Sequence, residues 1–178
     1  MDAVRGPDVI HETDIAHEMR FDHLVAEHQT ALLRMCYMYL KDRAMAEDAV
    51  QETYLKAYKA MGSFRGDCSE KAWLMRIAVN TCRDMRRSGW FRHVDRRVTP
   101  ELMADSSVTP RREDSALAIE MMSLPDKLQE VLLLYYYQGM TTAEVGKVLG
   151  ISKVTASRRL QQARERLRGA LMGGELRD

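Results

Sequence analysis

Thr141-Thr142-Ala143-Glu144-Val145-Gly146-Lys147-Val148-Leu149-Gly150-Ile151-Ser152-Lys153-Val154-Thr155-Ala156-Ser157-Arg158-Arg159-Leu160, continuing to Leu171, decides the fold of this chain. Val145, Val148 and Leu149 give a short first helix one apolar stripe. Gly150 follows at once, where a residue without a side chain can end that helix in the left-handed conformation. Ile151 plugs the corner, and the Ser152 hydroxyl is placed to cap the next helix. That second helix carries Lys153, Arg158, Arg159, Arg164, Arg166 and Arg168 against a single acid, Glu165. A short helix, a tight turn and a cationic second helix fit the geometry that enters a DNA major groove.

Helical spacing turns Ala156, Leu160, Ala163 and Leu167 toward a bundle and Lys153, Ser157, Arg158, Gln161, Gln162 and Glu165 away from it. Arg158 can pair bidentately with guanine, and Gln161 and Gln162 with adenine. Ser157, Arg158, Gln161 and Gln162 are therefore the candidates for base contacts, and Lys153, Arg159 and Arg164 for phosphates. Arg166 and Arg168 read as solubilising charges at the helix end.

Working backwards, Pro125-Asp126 opens a helix from Lys127 to Tyr137, preceded by another over Ala116 to Met122. The run Val131 to Tyr137 has strand propensity, but its helical flanks and the lack of a partner strand make it a core helix, its tyrosines core with polar tips. Between Ser88 and about Glu113 periodicity vanishes among Pro100, Pro110 and scattered Ser and Thr, which reads as a flexible linker and a domain boundary.

Ahead of the linker, three helical patterns recur. Phe21 to Leu40 carries an apolar stripe, Lys41-Asp42 breaks it, and Ala44 to Met61 follows with Glu47, Asp48, Gln51 and Glu52 at its front. After the loop Gly62 to Asp67, Ser69 or Asp67 can cap a helix from Glu70 to Arg87 built on Trp73, Leu74, Ile77 and Ala78. The expected fold is all-α: two small helical bundles joined by a flexible linker, the second ending in the helix-turn-helix. Boundaries fall at an acidic, disordered tail (1–19), a first bundle (20–88), the linker (89–114) and a second bundle (115–172).

Net charge is only +1 over 178 residues, but it is unevenly distributed. Seven arginines face two aspartates over residues 76–97, whereas five acids face one arginine over residues 2–18. Two cationic segments imply two nucleic-acid surfaces. In the first, Arg76, Asn80, Arg83 and Arg87 lie along one side of a helix behind Phe64 and Arg65. Cations for a backbone, an amide for base edges and an aromatic ring for an unstacked base suit single-stranded DNA. Phe64 has two readings, a base platform or a plug between helices; Trp73 reads as core. Arg86 continues the helix toward the same phosphates.

The blocks Asp48-Ala49-Val50-Gln51-Glu52-Thr53-Tyr54-Leu55-Lys56-Ala57-Tyr58, Phe64-Arg65-Gly66 and Trp73 through Asp84 resemble the extracytoplasmic-function group of bacterial sigma factors. Leu124-Pro125, the helix through Tyr137 and the helix-turn-helix running into Ala163-Arg164-Glu165-Arg166-Leu167-Arg168 resemble that group's second domain. The recognition helix departs from the group's habit, which often has Gly at the position of Val154, Val at Ala156 and Ser at Arg158. The resemblance implies a transcription initiation factor without an active site, whose partners are core RNA polymerase, promoter DNA and an anti-sigma factor. It assigns polymerase docking to Asp48, Gln51, Glu52, Tyr54 and Leu55. Phe64, Arg65, Arg76, Asn80, Arg83 and Arg87 fall to the minus-10 element. Lys153, Ser157, Arg158, Arg159, Gln161, Gln162 and Arg164 fall to the minus-35 element.

Other classes find little support. Cys36, Cys68 and Cys82 lack C-x-x-C spacing and read as buried free thiols in a reducing compartment. No secretory signal or long apolar run appears, so the expectation is a soluble cytoplasmic protein without membrane insertion. His11 and His17 sit among acids, yet a disordered tail explains them better than a metal site. No zinc-protease motif, P-loop or recombinase-like nucleophile setting appears; no cofactor, metal or small-molecule substrate is expected. A free-standing DNA-binding regulator is the competing class, although nothing resembles the dimerisation or ligand domain it would need.

Overall fold

The computed structural model describes residues 12–88 and 112–174, and every regular element among them is helical. Three helices form the first unit: α1 (Glu12–Leu40), α2 (Arg43–Ala60, closed by a 3-10 turn at Met61–Ser63) and α3 (Glu70–Arg87). The second unit comprises α4 (Arg112–Ser123), α5 (Asp126–Leu132), α6 (Thr142–Leu149) and α7 (Lys153–Gly174). Between α5 and α6 the helix widens into one π-helical turn, Leu133–Tyr137.

Local chemistry sets these boundaries. Lys41, at φ +61°, closes α1 by donating its backbone N–H to the Tyr37 carbonyl at 2.7 Å. The Asp42 carboxylate then caps α2, accepting from Met45 N at 2.8 Å, and Ser69 caps α3 from Ala72 N at 3.2 Å. Two expectations need adjustment. Helix α1 begins at Glu12, so residues 12–19 are helical and do not form a disordered tail; His17 rests edge-on against Tyr58, 4.9 Å between centroids, which anchors this extension. Helix α4 begins at Arg112, inside the span assigned to the linker; residues 1–11 and 89–111 lie outside the described residues.

The helix-turn-helix follows its sequence logic closely. Thr141 and Glu144 form a reciprocal capping box, and Gly150 ends α6 at φ +68°. Gly146 has a separate role: a β-carbon there would lie 2.8 Å from the Ile151 carbonyl oxygen, so only glycine lets α6 approach the turn this closely. Apolar contacts run without a break from Leu24 and Leu32 in α1 through Leu74 and Met75 in α3 to Val131, Leu134 and Val145 in the second unit. The two bundles therefore pack against each other, α3 against α6 and α1 against α4, α5 and the π turn.

Gly146→Ala is expected to lower stability by about 1–3 kcal/mol, because the added methyl meets backbone that cannot rotate away. A thermal melt of the variant beside wild type checks this.

Candidate nucleic-acid and docking surfaces

Helix α7 is anchored by Ala156, Leu160, Ala163 and Leu167, all buried against α4, α5 and α6. That anchoring leaves Lys153, Ser157, Arg158, Gln161, Gln162 and Glu165 exposed, as the spacing requires. Ser152 caps the helix by accepting from Thr155 N at 3.1 Å, and Gln161 donates to Glu165 at 3.0 Å. Val154, 77% exposed in the first turn, adds an apolar group to this face. It lies one turn ahead of Ser157 and Arg158, within reach of whatever they touch. Arg159 is half-buried at the edge of a cleft of about 560 Å³ between the units, which Arg86, Arg87 and Lys127 also line.

Arg164 is exposed and also bonded within its own unit. Its Nε donates to the Tyr136 hydroxyl at 2.7 Å, and its guanidinium lies 5.4 and 5.5 Å from the Tyr135 and Tyr136 ring centres. The tyrosine run is core only in part: Tyr135 packs against the core, and Tyr136 and Tyr137 do not. The π turn buries Leu133 and Leu134 but leaves Tyr136 53% and Tyr137 39% exposed, because the wider helix alters the order in which consecutive side chains meet the core.

On α3, Arg76, Asn80 and Arg83 share one side, but that side faces the second unit. Arg76 Nη2 donates to the Lys147 carbonyl at 2.7 Å. Arg83 forms a fork with Glu130, Nε to Oε1 at 2.8 Å and Nη2 to Oε2 at 2.7 Å. The Tyr39 hydroxyl donates to the same Oε1 at 2.6 Å. Burial, then the Glu130 charge, raises the Tyr39 pKa well above the ordinary phenol range, so its proton stays in that bond. The bonds that Arg83 donates to Glu130 likewise hold it firmly protonated. Asn80 stays exposed, Arg86 pairs with Asp126 at 2.7 Å over the Tyr39 ring, and Arg87 lies 3.8 Å from Asp84.

In the loop, Arg65 is exposed and Phe64 is half-buried, its ring centre 5.1 Å from that of Trp73 and 5.5 Å from the Arg20 guanidinium. Phe64 thus rests between α1 and α3 with part of its ring in solvent, and Trp73 is itself only partly buried. Arg20 is held in turn by Glu70.

The outer side of α2 presents Asp48, Gln51, Glu52 and Leu55 to solvent, while Ala46, Ala49, Thr53 and Ala57 are buried beneath. Leu55 is 57% exposed and Tyr58 42%, an apolar strip inside an acidic rim. Tyr54 is half-buried against Phe21, and burial pushes its hydroxyl up to about 12.

Residues 24–92 match the model of sigma-70 region 2, and residues 121–169 that of sigma-70 region 4. The ECF RNA polymerase sigma factor SigL of Mycobacterium tuberculosis is 34% identical over 151 residues, covering 82% of this chain and 85% of that one. The chain belongs to the extracytoplasmic-function sigma factors. A probable sigma factor of Xanthomonas campestris, RfaY, is 29% identical over 87% of this chain, but the match spans only 41% of that longer protein. Among solved structures, CnrH in complex with the cytosolic domain of CnrY is 29% identical, with a TM-score of 0.69 over 88% of this chain and 90% of that one. The sigma factor RpoE of Bartonella quintana, solved with the anti-sigma factor NepR, shares the fold at 22% identity and a TM-score of 0.68, over 86% and 97%.

The sequence reading of this sigma factor missed the polar groups that join its units. Gln129, fully buried, donates to the Met38 carbonyl at 2.8 Å, an acceptor orphaned by the end of α1. Gln138 donates to the Ala31 carbonyl at 3.0 Å, and Lys71 to the Gln138 carbonyl at 2.5 Å. Glu130 is only 4% exposed. Gln129 and Glu130 interrupt the apolar run from Leu128 to Leu134, and that interruption was the available signal.

Of the cysteines, Cys36 and Cys82 are buried and Cys68 only partly so. A hydrogen bond donated to Cys82, together with burial, pushes the Cys36 thiol up. In the native sigma factor Cys68 alone is expected to react with a thiol reagent at mildly alkaline pH, and Cys36 and Cys82 only after denaturation. Mass spectrometry of the labelled sites checks this.

Proposed function

We propose that this sigma factor divides promoter selection between two units, region 2 over residues 20–88 and region 4 over 115–172. The chemistry of transcription belongs to the polymerase, and the protein works in the cytoplasm as a specificity subunit. The exposed acidic and apolar face of α2, with Asp48, Gln51, Glu52, Tyr54 and Leu55, docks on core polymerase. A polar rim around an apolar anchor suits an interface that must later dissociate. Phe64, Arg65, Arg76, Asn80, Arg83 and Arg87 hold the minus-10 element as it opens. On α7, Ser157, Arg158, Gln161 and Gln162 read minus-35 bases, and Lys153, Arg159 and Arg164 contact phosphates. Val154 joins them through apolar contact with a thymine methyl group.

One observation carries this reading: α7 lays a row of hydrogen-bonding and cationic side chains in solvent while its buried residues fix it to a rigid helix-turn-helix. Regulation by an anti-sigma factor follows by analogy with the Bartonella complex. Such a partner would cover the docking and reading faces together.

Run-off transcription with purified core polymerase on a genomic promoter library tests the function. Starts that depend on the protein and share two spaced elements are expected; tight duplex binding without polymerase-dependent starts would point to a free-standing regulator. Arg158→Ala is expected to lose about 1–3 kcal/mol of discrimination at one minus-35 base pair while core binding stays intact. Glu52→Ala and Leu55→Ala should weaken core binding and leave the duplex affinity of the isolated protein unchanged. Equal loss of core binding in all three would overturn the division of labour.

A further inference from the structure

Two exposed side chains from different elements meet beside the reading face of α7. Arg164 Nε donates to the Tyr136 hydroxyl at 2.7 Å, and the guanidinium lies 5.4 and 5.5 Å from the Tyr135 and Tyr136 ring centres. The two rings stand edge to face, their planes 77° apart and their centres 5.0 Å apart, and form a corner that the guanidinium occupies. The π turn makes this corner available, because it turns Tyr136 outward. Donors are left over on both partners. The bond to Tyr136 uses the Nε–H of Arg164 and leaves terminal N–H groups to donate elsewhere. The tyrosine oxygen accepts that bond, so its own proton is free to be donated outward. Among the described residues no carboxylate pairs with Arg164, and its charge is not neutralised.

Placement relative to the base-reading residues identifies the ligand. Arg164 lies on the same side of α7 as Ser157 and Gln161, two turns beyond the first. The advance from Ser157 to Arg164 is about 10 Å along the axis, and the major groove is roughly 12 Å wide. A helix that reads bases with its first turns therefore meets the wall of the groove at Arg164, where phosphates are on offer. We propose that Tyr136 and Arg164 form a clamp for a single phosphate of the minus-35 duplex, the tyrosine O–H and a terminal guanidinium N–H both donating to it. This rests on the reading of α7 given above. Tyr136 has two parts in the clamp: it touches the phosphate, and its oxygen and ring hold Arg164 in the orientation the phosphate needs. A guanidinium set in place beforehand loses less side-chain freedom on binding than one on a free stem. The footprint on the duplex thereby extends beyond α7 to the π turn.

The test uses the full chain as wild type, Tyr136→Phe and Arg164→Lys, on a duplex that the wild-type chain selects from a random-sequence pool. Copies of that duplex each carry one methylphosphonate, which removes the charge of a single phosphate, and fluorescence anisotropy reads affinity. Tyr136→Phe keeps the ring and loses the hydroxyl; it is expected to bind the unmodified duplex about tenfold more weakly. On one modified duplex the wild-type chain should weaken by a similar factor while Tyr136→Phe falls no further, which marks the clamped phosphate. Arg164→Lys keeps the charge but loses the Nε bond, and should lose most of its sensitivity at the same phosphate. Wild-type affinity in both variants would overturn the proposal. So would a loss that is the same on every modified duplex, as a purely structural role would give, or failure of the chain to select any duplex. If Tyr136→Phe loses helicity by circular dichroism, Arg164→Lys decides alone, since that side chain is exposed. Run-off transcription is read separately: absent starts beside an intact phosphate-specific effect would sink the promoter-selection reading and leave the clamp standing.

Discussion

A carboxylate with 4% exposure must be answered by positive charge, and in this protein the answer comes from the other bundle. Glu130 sits in α5, while Arg83 and the Tyr39 hydroxyl that complete its environment come from α3 and α1. Isolated, the second unit would carry a charge in a largely apolar helix face, and the first would present a row of arginines without counterions. Gln129 and Gln138 work in the same direction, each satisfying a carbonyl of α1. This seam sets buried polar bonds within a continuous apolar contact, so it fixes how the bundles meet as well as holding them together.

The seam also explains why the polar faces of α7 and α3 differ in kind. The face of α7 depends only on its own unit: buried alanines and leucines below, exposed polar groups above. The face of α3 instead crosses the seam, since Arg76 and Arg83 are bonded to groups of the second unit.

The sequence made the local features legible and the long-range ones opaque. The caps at Ser69 and Ser152, the left-handed Gly150 and the inward set on α7 all follow from spacing and turn chemistry within a few residues. The outward set on α2 was equally readable. What escaped were contacts between residues far apart in the chain, Tyr39 with Glu130 and Arg83 with Glu130, because helical periodicity reports burial but not the identity of the neighbour. The tyrosine run was misread for a related reason. A regular helix carries Val131 to Tyr137 with its tyrosines partly inward, and the π turn that sends Tyr136 and Tyr137 out leaves no mark in the hydrophobic pattern.

The close approach of α6 to its turn has an evolutionary consequence. Gly146, the Thr141–Glu144 box and the buried side of α7 fix its angle, and none of them lies on its exposed face. Ser157, Arg158, Gln161 and Gln162 can therefore diverge between lineages without any repacking beneath them. The chemistry of that face can change by single exposed replacements, and the scaffold that aims it is inherited intact.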